Sequence, residues 1–290
     1  MHLLEVKNLS YSYSKGTPFE KKALSDVSFS VEKGEFIGII GHTGSGKSTL
    51  MQMLDGLLKP DVGQVILEGK DINSDKKITR EARFKVGLCF QYPEYQLFEE
   101  TVEKDIAFGP KNMGLSDDQI KERVAKAASF VKLDKELLSR SPFDLSGGQK
   151  RRAAIAGVMA MLPEILILDE PAAGLDPVGR REIMSMIGEY RRSVGATVMM
   201  VTHSMETAAS VSDRIFVLQH GSLVYSGTPR EVFSHSDKLM EMGLDVPVAA
   251  KIASSLRQSG IDLPQDIYTE EDCADALAAY VEKLRRGCKK

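Results

Sequence analysis

The octet Gly41-His42-Thr43-Gly44-Ser45-Gly46-Lys47-Ser48 fits the pattern G-x-x-x-x-G-K-[ST], and its neighbours narrow what the chain can fold into. Before it runs Phe36-Ile37-Gly38-Ile39-Ile40, short and apolar like a buried strand; after it, Ser48-Thr49-Leu50-Met51-Gln52-Met53-Leu54 has helical character. A strand that feeds a helix through such a turn converges backbone N–H groups on one spot at a helix N-terminus, where the dipole also favours anions. Lys47 then reaches the β- and γ-phosphates of a nucleotide. Ser48 offers its hydroxyl to Mg²⁺, a hard cation that takes oxygen ligands while keeping most of its waters. At average residue frequencies an accidental match occurs on the order of once per hundred chains of this length, and the flanking strand and helix make accident the weaker explanation.

Two further apolar runs, ILIL at 165–168 and ATVMMV at 196–201, repeat the buried-strand pattern, with helical stretches between them. That alternation is what a parallel sheet in an α/β layer fold requires. The first run ends in Asp169-Glu170, two carboxylates at the C-terminal end of a strand, where α/β sheets place their ligands. Asp169 suits a Mg²⁺ shell, and Glu170 is placed to polarise an attacking water as general base. Alone, Asp-Glu after a strand is usually a solvated turn; the phosphate loop reverses that reading. A third element, Leu145-Ser146-Gly147-Gly148-Gln149, precedes a helical run and offers a hydroxyl and two bare glycine amides, a second anion cradle. One ATP does not need two cradles from one chain, so the second serves a nucleotide held by another copy, and the active unit is a dimer.

The 290 residues suffice for one large domain or for a domain with a smaller appendage, and 42% hydrophobic with 27% charged residues is an ordinary globular composition. A net charge of -3, from 38 basic and 41 acidic residues, leaves no general nucleic-acid footprint, and no nucleic-acid partner is expected. Cys89, Cys273 and Cys288 lack metal or redox spacing and read as reduced thiols. No apolar run approaches the roughly 20 residues of a membrane span, which leaves docking on a membrane partner open. The opening segment alternates through Ser10-Tyr11-Ser12-Tyr13 and breaks at 14–18, an antiparallel start. Residues 91–150 read as an inserted helical subdomain. After Pro229 the chain turns helical again, and Thr269-Glu270-Glu271-Asp272 looks like a capping box opening a helix with Leu277, Tyr280, Val281 and Leu284 on one face.

Together these residues resemble the nucleotide-binding domain of an ABC-type ATPase over roughly residues 3 to 230; LSGGQ before ILILDEP is about as specific as short motifs become. The resemblance implies an α/β P-loop core of ABC type at 1–90 and 151–235, with an antiparallel β subdomain, the helical signature subdomain at 91–150, and a C-terminal helical dimerisation appendage at 236–290. It also implies ATP and Mg²⁺ as ligands, with Gly41, His42, Thr43, Gly44, Ser45, Gly46, Lys47, Ser48 and Thr49 around the phosphates. Tyr13 resembles the aromatic that stacks on adenine. Gln91 resembles the glutamine that touches Mg²⁺ and the attacking water and relays nucleotide state. Asp176 resembles the aspartate facing the opposite protomer's phosphate loop, and His203 the histidine that contacts the γ-phosphate. Each alone has a plainer reading, a half-buried strand tyrosine or a surface histidine, which their order along the chain overturns.

A finer resemblance rests on Phe90-Gln91-Tyr92-Pro93-Glu94-Tyr95-Gln96-Leu97-Phe98, Thr101-Val102 and Asp105-Ile106-Ala107-Phe108-Gly109-Pro110. These are similar to the ATPases of energy-coupling factor transporters, importers of vitamins and of transition-metal ions. The phosphate loop and the run DEPAAGLDPVGR resemble the second of that family's two paralogous ATPases. The implied partners are a paralogous ATPase, as heterodimer, or a second copy, together with an integral membrane coupling subunit and a membrane substrate-binding subunit. The implied place is the cytoplasmic face of the cell membrane. The competing class is a soluble ABC-type ATPase that moves no solute. A single phosphate loop speaks against the tandem translation factors, and the lack of long heptads against the chromosome-cohesion type. Intact Glu170 and Ser146 speak against a purely regulatory module.

Overall fold

Strands buried on both faces must be apolar throughout, which is why the uninterrupted runs of this chain end up at the middle of a parallel sheet. The computed structural model describes residues 2–287, the side chains of 284–287 excepted. In chain order it contains β1 Leu4–Tyr13, β2 Lys21–Val31, β3 Phe36–Ile40, α1 Lys47–Leu54, β4 Val62–Leu67, β5 Lys70–Asp71, α2 Lys76–Lys85, β6 Val86–Cys89, α3 Val102–Asn112, α4 Asp117–Phe130, α5 Gly147–Met159, β7 Ile165–Asp169, α6 Pro177–Val194, β8 Thr197–Val201, α7 Met205–Val211, β9 Arg214–Gln219, β10 Ser222–Gly227, α8 Pro229–Phe233, α9 Ser236–Glu241, α10 Val248–Gln258 and α11 Glu270–Gly287.

Six strands form one sheet in the order β10-β9-β3-β8-β7-β6, parallel except for β10 at the edge. The register pairs Ile39 with Val201, Leu168 with Met200 and Cys89 with Leu168, so β3, β6, β7 and β8 end along one edge. That edge delivers the loops beginning at Gly41, Phe90, Glu170 and Thr202. A separate antiparallel sheet, β2-β1-β4-β5, fulfils the expected antiparallel start.

Alternation along the central strands divides the core. Ile165, Ile167, Ile37 and Ile39 face α1 and the antiparallel sheet, while Leu166, Leu168, Val198 and Met200 face α3 to α6. Helix ends follow the sequence: α6 starts at the N-cap Asp176 with Pro177 behind it and stops at Gly195, whose φ is +67°.

The packing differs from the sequence expectation at three places. Residue 150 lies inside α5, and the inserted helices share one apolar cluster with the sheet, so the insertion has no core of its own. Residues 236–250 are not an appendage to the sheet: Leu239, Leu244, Val246 and Ala250 pack with Ile40, Ile215, Val217 and Phe233. The smaller cluster belongs to α10 and α11, where Cys273, Ala276, Leu277 and Tyr280 meet Ala249, Ala253 and Leu263. Leu277 and Tyr280 thus pack as expected, the buried stripe also takes in Cys273 and Ala276, and Val281 is exposed. Thr269 does cap that helix, accepting from the Asp272 N–H at 3.0 Å. Cys288 and the Leu284 side chain lie outside the described residues.

This division predicts unequal costs. Leu239→Ala, at a fully buried position, is expected to destabilise the fold by about 2–5 kcal/mol. Leu277→Ala, in the partly buried satellite cluster, is expected to cost less. Urea unfolding midpoints of the two variants check the order.

Candidate nucleotide site

The loop after β3 is shaped by what surrounds it. A Cβ on Gly41 would lie 2.3 Å from the Leu218 carbonyl oxygen, and one on Gly46 would lie 2.5 Å from that of Ala23. Only glycine fits where loop backbone passes that close to β9 and β2. Gly46 caps α1 with φ +103°, and Lys47 opens that helix. Lys47 is 6% exposed, and its ammonium donates to the carbonyls of Gly41 at 2.7 Å and His42 at 2.8 Å. Burial lowers its pKa, against the raising pull of Glu170 and Asp169. Ser45 Oγ is buried without a hydrogen-bond partner.

The other strand ends close the site. Ser48 donates its hydroxyl to Asp169 Oδ2 at 2.9 Å, which joins the loop to β7. Glu170 has φ +52°, a left-handed conformation rare for a side-chain-bearing residue. Its carboxylate is 12% exposed and lies 3.5 Å from Nε2 of His203. Burial and then the adjacent Asp169 push its pKa up to about 7, with Lys47 pulling the other way. Glu170 Oε1 is a second buried orphan. Burial and then Lys47 lower the His203 pKa below its ordinary value, with Asp169 pulling the other way. Tyr13, 40% exposed, reaches Thr49 Oγ1 at 3.1 Å from its hydroxyl.

A cavity of about 370 Å³ gathers Tyr13, Thr43, Gly44, Lys47, Ser48, Thr49, Gln91, Asp169, Glu170 and His203. One end offers an aromatic ring; the other holds the cation, the loop amides and the carboxylates. A nucleoside triphosphate fits that polarity, and the oxygen atoms of Ser48, Asp169 and Gln91 are the donor type a small hard cation takes.

Other expected site residues stand apart. Gly41 and Ser45 do not line the cavity. The His42 side chain turns away, with Nε2 3.0 Å from the Met242 carbonyl. Asp176 does not line the cavity; its carboxylate accepts from the Gly179 N–H at 2.7 Å as the cap of α6. Leu145 is buried, and none of Ser146, Gly147, Gly148 and Gln149 lines the cavity. Ser146 caps α5 in a reciprocal box with Gln149, and a Cβ on Gly147 or Gly148 would meet nothing within 4 Å. The structure also adds residues: Lys21 and Ala23 line the same cavity. The signal for Lys21 is in the hairpin pairing, which sets it opposite Tyr13. Arg180, Thr202 and Glu206 share a neighbouring cavity of about 410 Å³ with Gln91, Glu170 and His203.

Residues 24–173 match the ABC transporter family. Over 278 residues the chain is 51% identical to the energy-coupling factor transporter ATP-binding protein EcfA2 of Caldanaerobacter subterraneus subsp. tengcongensis, covering 96% of this chain and 97% of that one. Its fold is similar to cbiO1 from Clostridium perfringens, described as part of the ABC transporter complex cbiONQ. There the TM-score is 0.73 and the identity 38%, over 84% of this chain and 95% of that one. It is also similar to the ATP-binding cassette MJ0796, solved as a dimer in a post-hydrolysis state bound to ADP and Pi, with TM-score 0.70 and 28% identity over 78% of this chain and 98% of that one.

Lys47→Ala removes the buried cation at the polar end of the cavity. ATP turnover is expected to fall at least about 100-fold, with far-ultraviolet circular dichroism unchanged; a steady-state ATPase assay checks it.

Proposed function

This chain belongs to the ABC transporter family, among the energy-coupling factor ATP-binding proteins, and from that premise we propose how its residues bind and hydrolyse ATP and to what they couple it. As the ATPase subunit of such a transporter, it binds ATP in the cavity at the ends of β3, β6, β7 and β8. Tyr13 stacks on the adenine, and the loop from Gly41 to Thr49 wraps the phosphates. Lys47 neutralises the β- and γ-phosphates. Ser48, Asp169 and Gln91 hold Mg²⁺, which supplies charge neutralisation and orientation of the phosphate oxygens. Glu170 accepts the proton of the attacking water; a carboxylate with proton affinity near neutrality suits that task. His203 contacts the γ-phosphate.

The observation that carries this reading is a separation. The carboxylates and Lys47 converge on one cavity, whereas the signature Ser146-Gly147-Gly148 stays at an open helix start away from it. A second protomer, a paralogue or another copy, supplies the missing cradle, and Asp176 faces that protomer's phosphate loop. The dimeric state of the MJ0796 cassette supports the arrangement.

Among the described residues no helix is long and apolar enough to cross a membrane. We assign coupling to the segment after Gln91, which leaves Tyr95 84% and Phe98 60% exposed beside the inserted helices. Exposed aromatics of this kind anchor partner helices. The partner is the integral membrane coupling subunit, with a membrane substrate-binding subunit selecting a vitamin or a transition-metal ion. The chain then works at the cytoplasmic face of the membrane. A soluble ATPase without a transport partner is not favoured by the relatives at about half identity.

Glu170→Gln keeps shape and removes the base, so it is expected to bind ATP and accumulate a closed dimer on size-exclusion chromatography. Adding Ser146→Arg is expected to abolish that dimer while ATP binding by the protomer persists. Tyr95→Ala/Phe98→Ala, in a folded chain, is expected to lose membrane-complex assembly and uptake; pull-down and transport assays in vesicles read the two separately.

A further inference from the structure

A guanidinium is seldom buried without several acceptors, because removing a charge from water is costly. Arg151, in the first turns of α5, is 4% exposed. Its fork meets the Glu94 carboxylate twice, Nε to Oε2 at 3.0 Å and Nη2 to Oε1 at 2.7 Å. Nη1 reaches the Ala173 carbonyl at 2.5 Å, and the guanidinium carbon lies 5.9 Å from the centre of the Tyr92 ring. Burial works against the Glu94 carboxylate, but the Arg151 fork more than offsets it and holds the carboxyl below its ordinary range.

Three segments meet at this one side chain. Tyr92 and Glu94 follow Gln91 directly, in and before the short 3₁₀ turn Pro93–Gln96. Arg151 itself rides on the helix that Ser146 caps. Ala173 closes the turn after Glu170, donating its N–H to the Glu170 carbonyl at 3.0 Å. Tyr92 and Glu170 both hold positive φ, +55° and +52°, a conformation that persists where surrounding contacts impose it. Arg151 is the shared contact: its guanidinium reaches over Tyr92 and onto the turn that Glu170 begins.

We propose that Arg151 is a positioning residue for ATP hydrolysis, clamping Glu94 and the Ala173 carbonyl to the signature helix so that Gln91 and Glu170 sit in one rigid frame. Movement of the aromatic segment against a membrane partner then reaches the carboxylate without passing through the phosphate loop. The inference rests on the roles assigned above to Gln91 and Glu170. It requires the planar fork: a lysine ammonium keeps the charge but lacks the paired geometry that holds both carboxylate oxygens and a carbonyl.

The test is a variant series, Arg151→Lys, Arg151→Met, Glu94→Gln and Arg151→Lys/Glu94→Gln. Each is purified with whatever membrane subunits accompany the wild-type chain, and assayed for ATP turnover against ATP concentration and for melting temperature. Turnover of Arg151→Lys is expected to fall on the order of 10- to 100-fold, as for a misplaced catalytic group. The ATP KM is expected to stay within about threefold, because the phosphate loop is untouched. Glu94→Gln should fall in the same direction, and the double variant no further than Arg151→Lys, because both break one link. Near-wild-type turnover of folded Arg151→Lys, a KM that rises as far as turnover falls, or single effects that multiply in the double variant each overturns the proposal. Should the Arg151 variants fail to fold, Glu94→Gln decides alone, and wild-type turnover there overturns it. If no membrane subunit accompanies the wild-type chain, the transport reading fails, while the same series on the purified dimer still decides the role of Arg151.

Discussion

The hydrogen bond from Ser48 to Asp169 Oδ2 spans 121 positions of sequence in 2.9 Å, and the rest of the site is arranged around it. It exists because β3 and β7, separated in the sheet by β8 alone, end at the same level. A slip of one residue in β7 would move Asp169 along the edge and exchange the faces of Ile165 to Leu168. Those faces are committed to two different apolar clusters, one against α1 and the other against the inserted helices. The register that buries the core is therefore the register that assembles the chemistry.

That assembly brings charge out of water. Lys47, Asp169 and Glu170 stand together at the sheet edge, with Lys47 lowered by burial and Glu170 pushed up to about 7. The two neighbouring carboxylates are held differently: Asp169 takes the Ser48 hydroxyl, while Glu170 Oε1 is buried with no hydrogen-bond partner, 3.5 Å from His203 Nε2. Two groups with one chemistry thus stand in different surroundings.

Much of this was legible in the sequence because it is local. The octet at 41–48, the run ILILDE and the LSGGQ helix start each fix their own backbone, and their apolar flanks fix the strands. What escaped reading was long-range. Lys21 enters the cavity through its pairing opposite Tyr13, and Arg151 finds Glu94 across 57 positions. Asp176 illustrates the opposite limit: its motif is plain, but within one protomer the structure gives it the work of a helix cap. On α11, Leu277 and Tyr280 belong to two overlapping i, i+3, i+4 patterns, and packing against α10 takes the buried stripe back through Ala276 to Cys273 while Val281 is exposed.

The phosphate loop has a second mooring on the far side of the chain. His42 donates from Nε2 to the Met242 carbonyl at 3.0 Å, and since a carbonyl only accepts, the proton sits on that nitrogen. Met242 ends α9, and at Gly243, with φ +72°, a Cβ would stand 3.4 Å from the same nitrogen. Leu239 of α9 packs in the cluster that contains Ile40, the residue directly before the loop. Residues 236–250 therefore hold the start of the loop both by packing and by a hydrogen bond, although none of them lines the cavity. The α10–α11 pair is one helix further out: Ala250 joins the inner cluster while Ala249 and Ala253 join the outer. The C-terminal α11 therefore connects to His42 through α10 and then α9, although the two lie far apart in the sequence.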